Sequence, residues 1–129
     1  MNALKSTSTD LKIKTLRRLF EAYKLKDRQM VEELLTDTFT FTSPYDDAID
    51  RANYFDRCWP NSNLIREHIL KRIFVEGDEA FVTYYAYTHE GMEFRNTEFF
   101  TFADNLVASV NVYFGAAYKD GSFVKKQVT

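Results

Sequence analysis

Phe94–Gly115, FRNTEFFTFADNLVASVNVYFG, decides how the chain folds. It reads as two strands joined by a tight turn, with polar groups where apolar ones belong. In the first strand Phe94, Asn96, Glu98, Phe100 and Phe102 share one face, while Arg95, Thr97, Phe99 and Thr101 share the other. Aromatic and β-branched residues suit such a pleated, half-buried surface. Ala103-Asp104-Asn105 has the composition of a three-residue hairpin loop, with Asn105 in the left-handed position that Asn tolerates. The second strand, Leu106–Tyr118, is almost wholly apolar. Glu98 is the anomaly: a carboxyl between aromatic residues on one face must find a partner, shift its pKa or reach water.

Upstream, Ala80–Thr88 is aromatic and β-prone, and a two-residue turn at Glu90-Gly91 would join it to the hairpin. That register places Phe81, Thr83, Tyr85, Tyr87 and His89 on the face of Asn96 and Glu98. His68–Val75 forms another strand, ending at Glu76-Gly77-Asp78. Before it, Arg51–Trp59 makes one or two helical turns burying Phe55, Cys58 and Trp59, until Pro60-Asn61-Ser62-Asn63 breaks them. Tyr45–Asp50 reads as an acidic loop, and Thr38–Ser43 as a short alternating strand closed by Pro44. Asp27 can cap a helix with Met30, Val31, Leu34 and Leu35 on its apolar side, stopping near Thr36-Asp37. Leu16, Leu19, Phe20 and Tyr23 have the spacing of a first helix, which Ser8, Thr9 or Asp10 could cap. Its Lys14, Arg17, Arg18 and Lys24 form a solvated face. Met1–Thr9 is expected to fray, and Lys119–Thr129 to be a polar tail. Helix, helix, strand, short helix and four strands make an α+β layout, with helices on one face of an antiparallel sheet.

The 129 residues fit one domain, 1–129, with no repeat or linker. A formal charge of −2 argues against broad binding of nucleic acid. The single cysteine, Cys58, excludes an internal disulfide, and two distant histidines make a metal site unexpected. With no Gly-rich phosphate loop either, no cofactor is expected. No apolar run reaches the roughly 18 residues of a membrane span. The N-terminus lacks the apolar core of a signal peptide, so a soluble cytoplasmic protein is expected.

The order of elements, together with LFEAYKLKDRQMVEELLTDTFTFTSP, RANYFDRCW, VEGDEAFVTYYAYTHEGMEF and EFFTFADNLVASVNVYFG, resembles the SnoaL-like branch of the nuclear transport factor 2-like superfamily. The resemblance spans about residues 11–118. It implies a cone: a strongly curved antiparallel sheet, mixed at its edge, packed against three N-terminal helices and dimerising through its outer face. It also implies a cavity for a small molecule, although the superfamily includes isomerases, dehydratases, cyclases and non-catalytic modules. In ketosteroid isomerase a general base precedes the Pro that ends the first strand; Ser43 stands there. The helix-one tyrosine of that enzyme falls at about Leu19, with Tyr23 one turn on, and its protonated Asp falls on Glu98. Limonene epoxide hydrolase carries an Asp where this chain has Val112. Neither catalytic set is complete.

Glu98 is thus the leading catalytic candidate, as a desolvated carboxyl able to move a proton near neutral pH. The alternative is a structural pair with Arg95, His68 or Arg72, or a place on the outer face. His89 could exchange protons with Glu98 at the cavity mouth, or be an exposed turn residue. Asn96, Tyr23 and Tyr85 could hold a ligand oxygen. Trp59, Tyr54, Phe41, Phe100, Val112 and Phe114 could supply apolar wall, though each also reads as core. Cys58 reads as buried and inert. The expected partners are a small, largely apolar molecule and a second copy of the chain, with no nucleic acid and no membrane. The expected chemistry is cofactor-free acid–base work of isomerase, dehydratase or cyclase type; the competing reading is a non-catalytic dimeric binding or association module.

Overall fold

The computed structural model describes residues 7–125. Residues 1–6 and 126–129, within the stretches read as a frayed end and a tail, lie outside it. α1, Ser8–Leu25, starts at Thr7, one residue before the expected caps. The Thr7 hydroxyl accepts the Asp10 N–H while the Asp10 carboxylate accepts the Thr7 N–H, a reciprocal cap worth about 1 kcal/mol. Thr7, Ser8 and Thr9 therefore belong to an ordered helix start. α2, Arg28–Leu34, is capped by Asp27, whose carboxylate accepts the Met30 N–H. It ends two residues earlier than expected because Leu35 is already extended and leads into a β-branched run. Arg51 closes this end, its guanidinium donating to the carbonyls of Glu32, Leu35 and Thr36.

The strands are β1 (Leu35–Ser43), β2 (Asp46–Asp50), β3 (Ile65–Glu76), β4 (Glu79–Thr88), β5 (Met92–Ala103), β6 (Leu106–Lys119) and β7 (Ser122–Val124). α3, Arg51–Arg57, and a 3-10 segment, Trp59–Leu64, lie between β2 and β3. One sheet runs β2-β1-β6-β5-β4-β3, and β7 also pairs with β6. β1 and β6 run parallel; the other pairs are antiparallel. Two strands go beyond the sequence reading. The expected acidic loop is β2, an edge strand whose charges suit an unpaired rim, and part of the expected tail is β7. At Pro60 the chain tightens into the 3-10 segment. In α3 the buried residues are Tyr54 and Phe55, with Cys58 and Trp59 only half-buried.

Two hairpin turns depart from expectation. Ala103 pairs with Leu106, so the β5–β6 turn has two residues, and Asp104 rather than Asn105 takes the left-handed backbone (φ 57°). Between β4 and β5 the register is one residue off the expected one: Glu98 faces Val82 and Asn96 faces Tyr84. The Thr88 hydroxyl causes this by accepting the N–H groups of both Glu90 and Met92, which fixes a longer turn around Gly91. One residue of slip exchanges the faces of a strand. Ala80, Val82, Tyr84 and Ala86 therefore point inward, and Phe81, Thr83 and Tyr85 outward.

The inward face packs on the helices around Leu16, Val31, Phe39, Val82, Phe100 and Val107, all essentially fully buried. At one end the packing is closed. Lys12, 5% exposed, donates to the Ser8 hydroxyl and reaches Asp78 in the β3–β4 turn at 3.4 Å. Thr15 donates to the Asn105 carbonyl in the β5–β6 turn. Toward the other end the sheet bends away from α1. Gly115 and Ala116 of β6 together stand opposite Arg95, a bulge that curls the strand. A Cβ on Gly115 would lie 2.2 Å from the Arg95 carbonyl oxygen, so only glycine permits this approach.

Candidate functional site

The space between the bent sheet and the helices is a cavity of about 730 Å³, within the range of small-molecule sites. α1 contributes Leu19, Phe20 and Tyr23; β1 contributes Phe39, Phe41 and Ser43; β4, β5 and β6 supply the floor. Tyr45, Leu64 and Phe114 line it and are also exposed, which places the mouth among them.

The polar centre lies on β4 and β5. Tyr84 and Asn96 are directly opposed, and Glu98 is two residues along on the same face. The Tyr84 hydroxyl donates to Glu98 Oε2, and the Asn96 amide donates to the Tyr84 oxygen at 3.3 Å. The accessible surface that Glu98 keeps belongs to the cavity wall rather than to the outer surface. Burial raises its pKa to about 7, against the opposing pull of the Tyr84 hydrogen bond. Burial and then the neighbouring Glu98 charge push Tyr84 and Tyr23 well above the usual phenol value. Both tyrosines therefore remain donors, while Glu98 changes charge near neutrality.

Of the anticipated residues, Glu98, Asn96, Tyr23, Tyr54, Phe41, Val112 and Phe114 line this cavity. Trp59 stands behind Tyr23, edge-on with ring centroids 5.0 Å apart, and Phe100 is sealed in the core against Phe20. Tyr85 is a correction: it lies on the outer face beneath the Arg95 guanidinium, because of the one-residue register difference. For His89 the exchange of protons with Glu98 is corrected, and the other reading, an exposed residue of the β4–β5 turn, is the one observed. The alternative pairing of Glu98 with Arg95, His68 or Arg72 is also replaced. Arg95 pairs with Glu93 at 2.7 Å, and Glu98 is held by Tyr84.

Tyr84, His68, Asp46 and Arg57 are wall residues that sequence reasoning did not assign. Alternation could have found Tyr84 if the turn length had been known. The His68 ring packs edge-on against Phe20 and Tyr84. Burial lowers its pKa to about 4, a contact with the Phe20 backbone acting the other way, so it is neutral at physiological pH. Its Nδ1 is buried without a hydrogen-bond partner among the described residues. At the mouth, Arg57 Nη2 lies 2.6 Å from Asp46 Oδ1, and the Cys58 thiol donates to Asp46 Oδ2. Burial and the Asp46 carboxylate raise the Cys58 pKa to about 11, with Arg57 opposing, which leaves the thiol unreactive. Among the described residues no group of three His, Cys, Asp or Glu side chains is placed to hold a metal ion, and no helix is long and apolar enough to cross a membrane.

Residues 16–110 match the family model of the SnoaL-like domain. The chain therefore belongs to the SnoaL-like family. Solved structures with the same fold include a candidate ketosteroid isomerase from Kribbella flavida, 18% identical with a TM-score of 0.71, covering 84% of this chain and 81% of that one. A candidate SnoaL-like polyketide cyclase from Jannaschia sp. is 20% identical with a TM-score of 0.66, covering 81% and 85%. A nuclear transport factor 2-like protein of unknown function from Cytophaga hutchinsonii is 17% identical with a TM-score of 0.66, covering 89% and 95%. No curated protein matches the sequence.

Proposed function

We propose that this protein binds a small, largely apolar molecule carrying a carbonyl oxygen, and that Glu98 moves a proton on it without a cofactor. The observation that carries the reading is a carboxyl on an aromatic cavity wall, hydrogen-bonded to Tyr84 and poised at a pKa of about 7. A group with that pKa is present in both forms at neutral pH, the condition for efficient general acid–base work. As carboxylate, Glu98 takes a proton from the carbon next to the carbonyl; as carboxylic acid, it returns the proton elsewhere on the conjugated skeleton. Tyr23, close enough to feel the Glu98 charge, donates to the developing enolate oxygen. Asn96 orients Tyr84. The isomerase and cyclase assignments of the structural neighbours are compatible with such chemistry.

The test is hydrogen–deuterium exchange at the activated carbon of a β,γ-unsaturated aryl ketone, followed by NMR. The wild type should accelerate exchange with a midpoint near pH 7, and Glu98→Gln should lose about 10²–10⁴-fold of that acceleration. Ligand binding with no accelerated exchange at any pH would move the reading to a non-catalytic binding module. A second copy is proposed to cover the outer face of the sheet, because Phe74, Phe81 and Tyr113 are 67%, 48% and 53% exposed there. Sedimentation should then give a dimer at micromolar concentration; a monomer would remove that part.

A further inference from the structure

The cavity-binding reading leaves the other end of the ligand open, and the mouth supplies an answer. Among the described residues that line the cavity, Arg57 is the one lysine or arginine. It pairs with Asp46, but the two partners are unequally placed: the Arg57 side chain is 55% exposed and that of Asp46 only 9%. Both Asp46 oxygens are occupied, Oδ1 by Arg57 at 2.6 Å and Oδ2 by the Cys58 thiol at 3.8 Å. Asp46 is thus an internal brace that fixes the guanidinium and offers nothing to a ligand. Arg57 uses Nη2 on Asp46, and its fork has further N–H donors. Ser43 stands opposite Asp46 in the β1–β2 ladder and its oxygen accepts the Tyr45 N–H at 3.1 Å, so the hydroxyl proton is left to donate. Asn61 adds an amide to the cavity lining. The mouth is therefore rich in donors and its one carboxylate is turned inward.

We propose that the cavity takes an apolar ligand carrying a carboxylate at the end opposite its carbonyl, with Arg57 holding that carboxylate at the mouth. A planar guanidinium matches a carboxylate through two parallel hydrogen bonds, and charge assistance makes these about twice as strong as neutral ones. The Asp46 carboxylate behind the fork already takes up part of the Arg57 charge and repels the second negative charge of a phosphate, which favours a monoanion. The ligand then lies along the cavity, its carbonyl at Glu98 and its carboxylate in the opening among Tyr45, Leu64 and Phe114.

Calorimetric titration with ω-benzoylalkanoates of increasing chain length, each as free acid and as methyl ester, tests this. At the length that spans the cavity, the acid should bind about tenfold tighter than its ester. Arg57→Gln should abolish that advantage and leave ester binding unchanged, and Asp46→Asn should enlarge it. Arg57→Lys keeps the charge and should retain part of the advantage, which separates a lost contact from a lost fold. Glu98→Gln should change acid and ester binding by the same factor. Equal binding of acid and ester to the wild type, or an acid preference surviving in Arg57→Gln, overturns the inference while leaving the cavity reading intact. A phosphonate binding tighter than the carboxylate overturns the choice of anion. Failure of every acid and ester to bind overturns both readings.

Discussion

Tyr84 and Tyr85 are neighbours on β4, yet they belong to two different chemistries. On the inner face, Tyr84 is buried, donates to a carboxyl and has its pKa driven up by desolvation. On the outer face, Tyr85 lies under the guanidinium of Arg95, which is also stacked on Tyr118. The same contrast runs along β5, where inner Phe100 has no exposure and outer Phe99 meets Phe81 in a half-open pair. Inside, Tyr84, Asn96 and Glu98 pair with one another, and burial moves the pKa values of Tyr84 and Glu98. Outside, Thr83 and Thr97 or Arg95 and Glu93 pair in reach of water, where such contacts contribute little. The two faces teach that side-chain type does not determine role on this sheet; the face does.

The largest expected effect sets Phe100 against Phe99. Phe100→Ala should lower unfolding stability by about 3–5 kcal/mol, because it empties sealed core volume. Phe99→Ala should cost less than about half as much in denaturant titration. A larger Phe99 loss that depends on protein concentration would show that a second copy makes the outer face a core as well.

Next comes the dependence of stability on pH, where two inner-face groups oppose each other. Glu98 binds its proton more tightly folded than unfolded, so its contribution is full below about pH 4.5 and is lost as pH rises to about 7. His68 binds its proton less tightly when folded, so its contribution is present above pH 6.5 and is lost as pH falls toward 4. Between pH 4.5 and 6.5 the two slopes cancel in large part. Glu98→Gln should unmask stability that rises with pH, and His68→Gln stability that falls with pH, each by no more than about 3 kcal/mol. Identical, flat profiles for both variants in thermal melts would break the assignment.

A smaller effect separates the two tyrosines. Tyr84→Phe removes the hydrogen bond that favours the charged form of Glu98, so the carboxyl should titrate above about 7 by carbon-13 NMR. Tyr85→Phe should leave that titration where it was. The smallest concerns Thr97→Val, which deletes the Thr83 contact on the outer face and should change stability by less than about 1 kcal/mol.

Much of this was legible in the residues. The spacing of Leu16, Leu19, Phe20 and Tyr23, the Asp27 cap and the alternation from Phe94 to Phe102 give helices, strands and the inward turn of Glu98, since each depends on local periodicity. Tyr84 was missed because its face depends on the length of the β4–β5 turn. That length is fixed by hydrogen bonds of the Thr88 hydroxyl, which leave no mark in a hydrophobic pattern. β2 was missed because Asp46–Asp50 has one large apolar residue, Ile49; it is a strand by virtue of pairing with β1. Asp46 and Arg57 lie eleven positions apart, across a strand and a helix, so only the folded chain brings them to one opening.

Gly115 sets the calibre of the molecule. Since β6 kinks where two of its residues face one on β5, the width of the chamber depends on where along the strand that extra residue falls. A related chain that moved the kink one rung would change the width of its chamber and, with it, which of the residues beside the kink face inward. The shape of the chamber can therefore drift through a one-residue shift in the sheet, tolerated only beside a residue without a side chain.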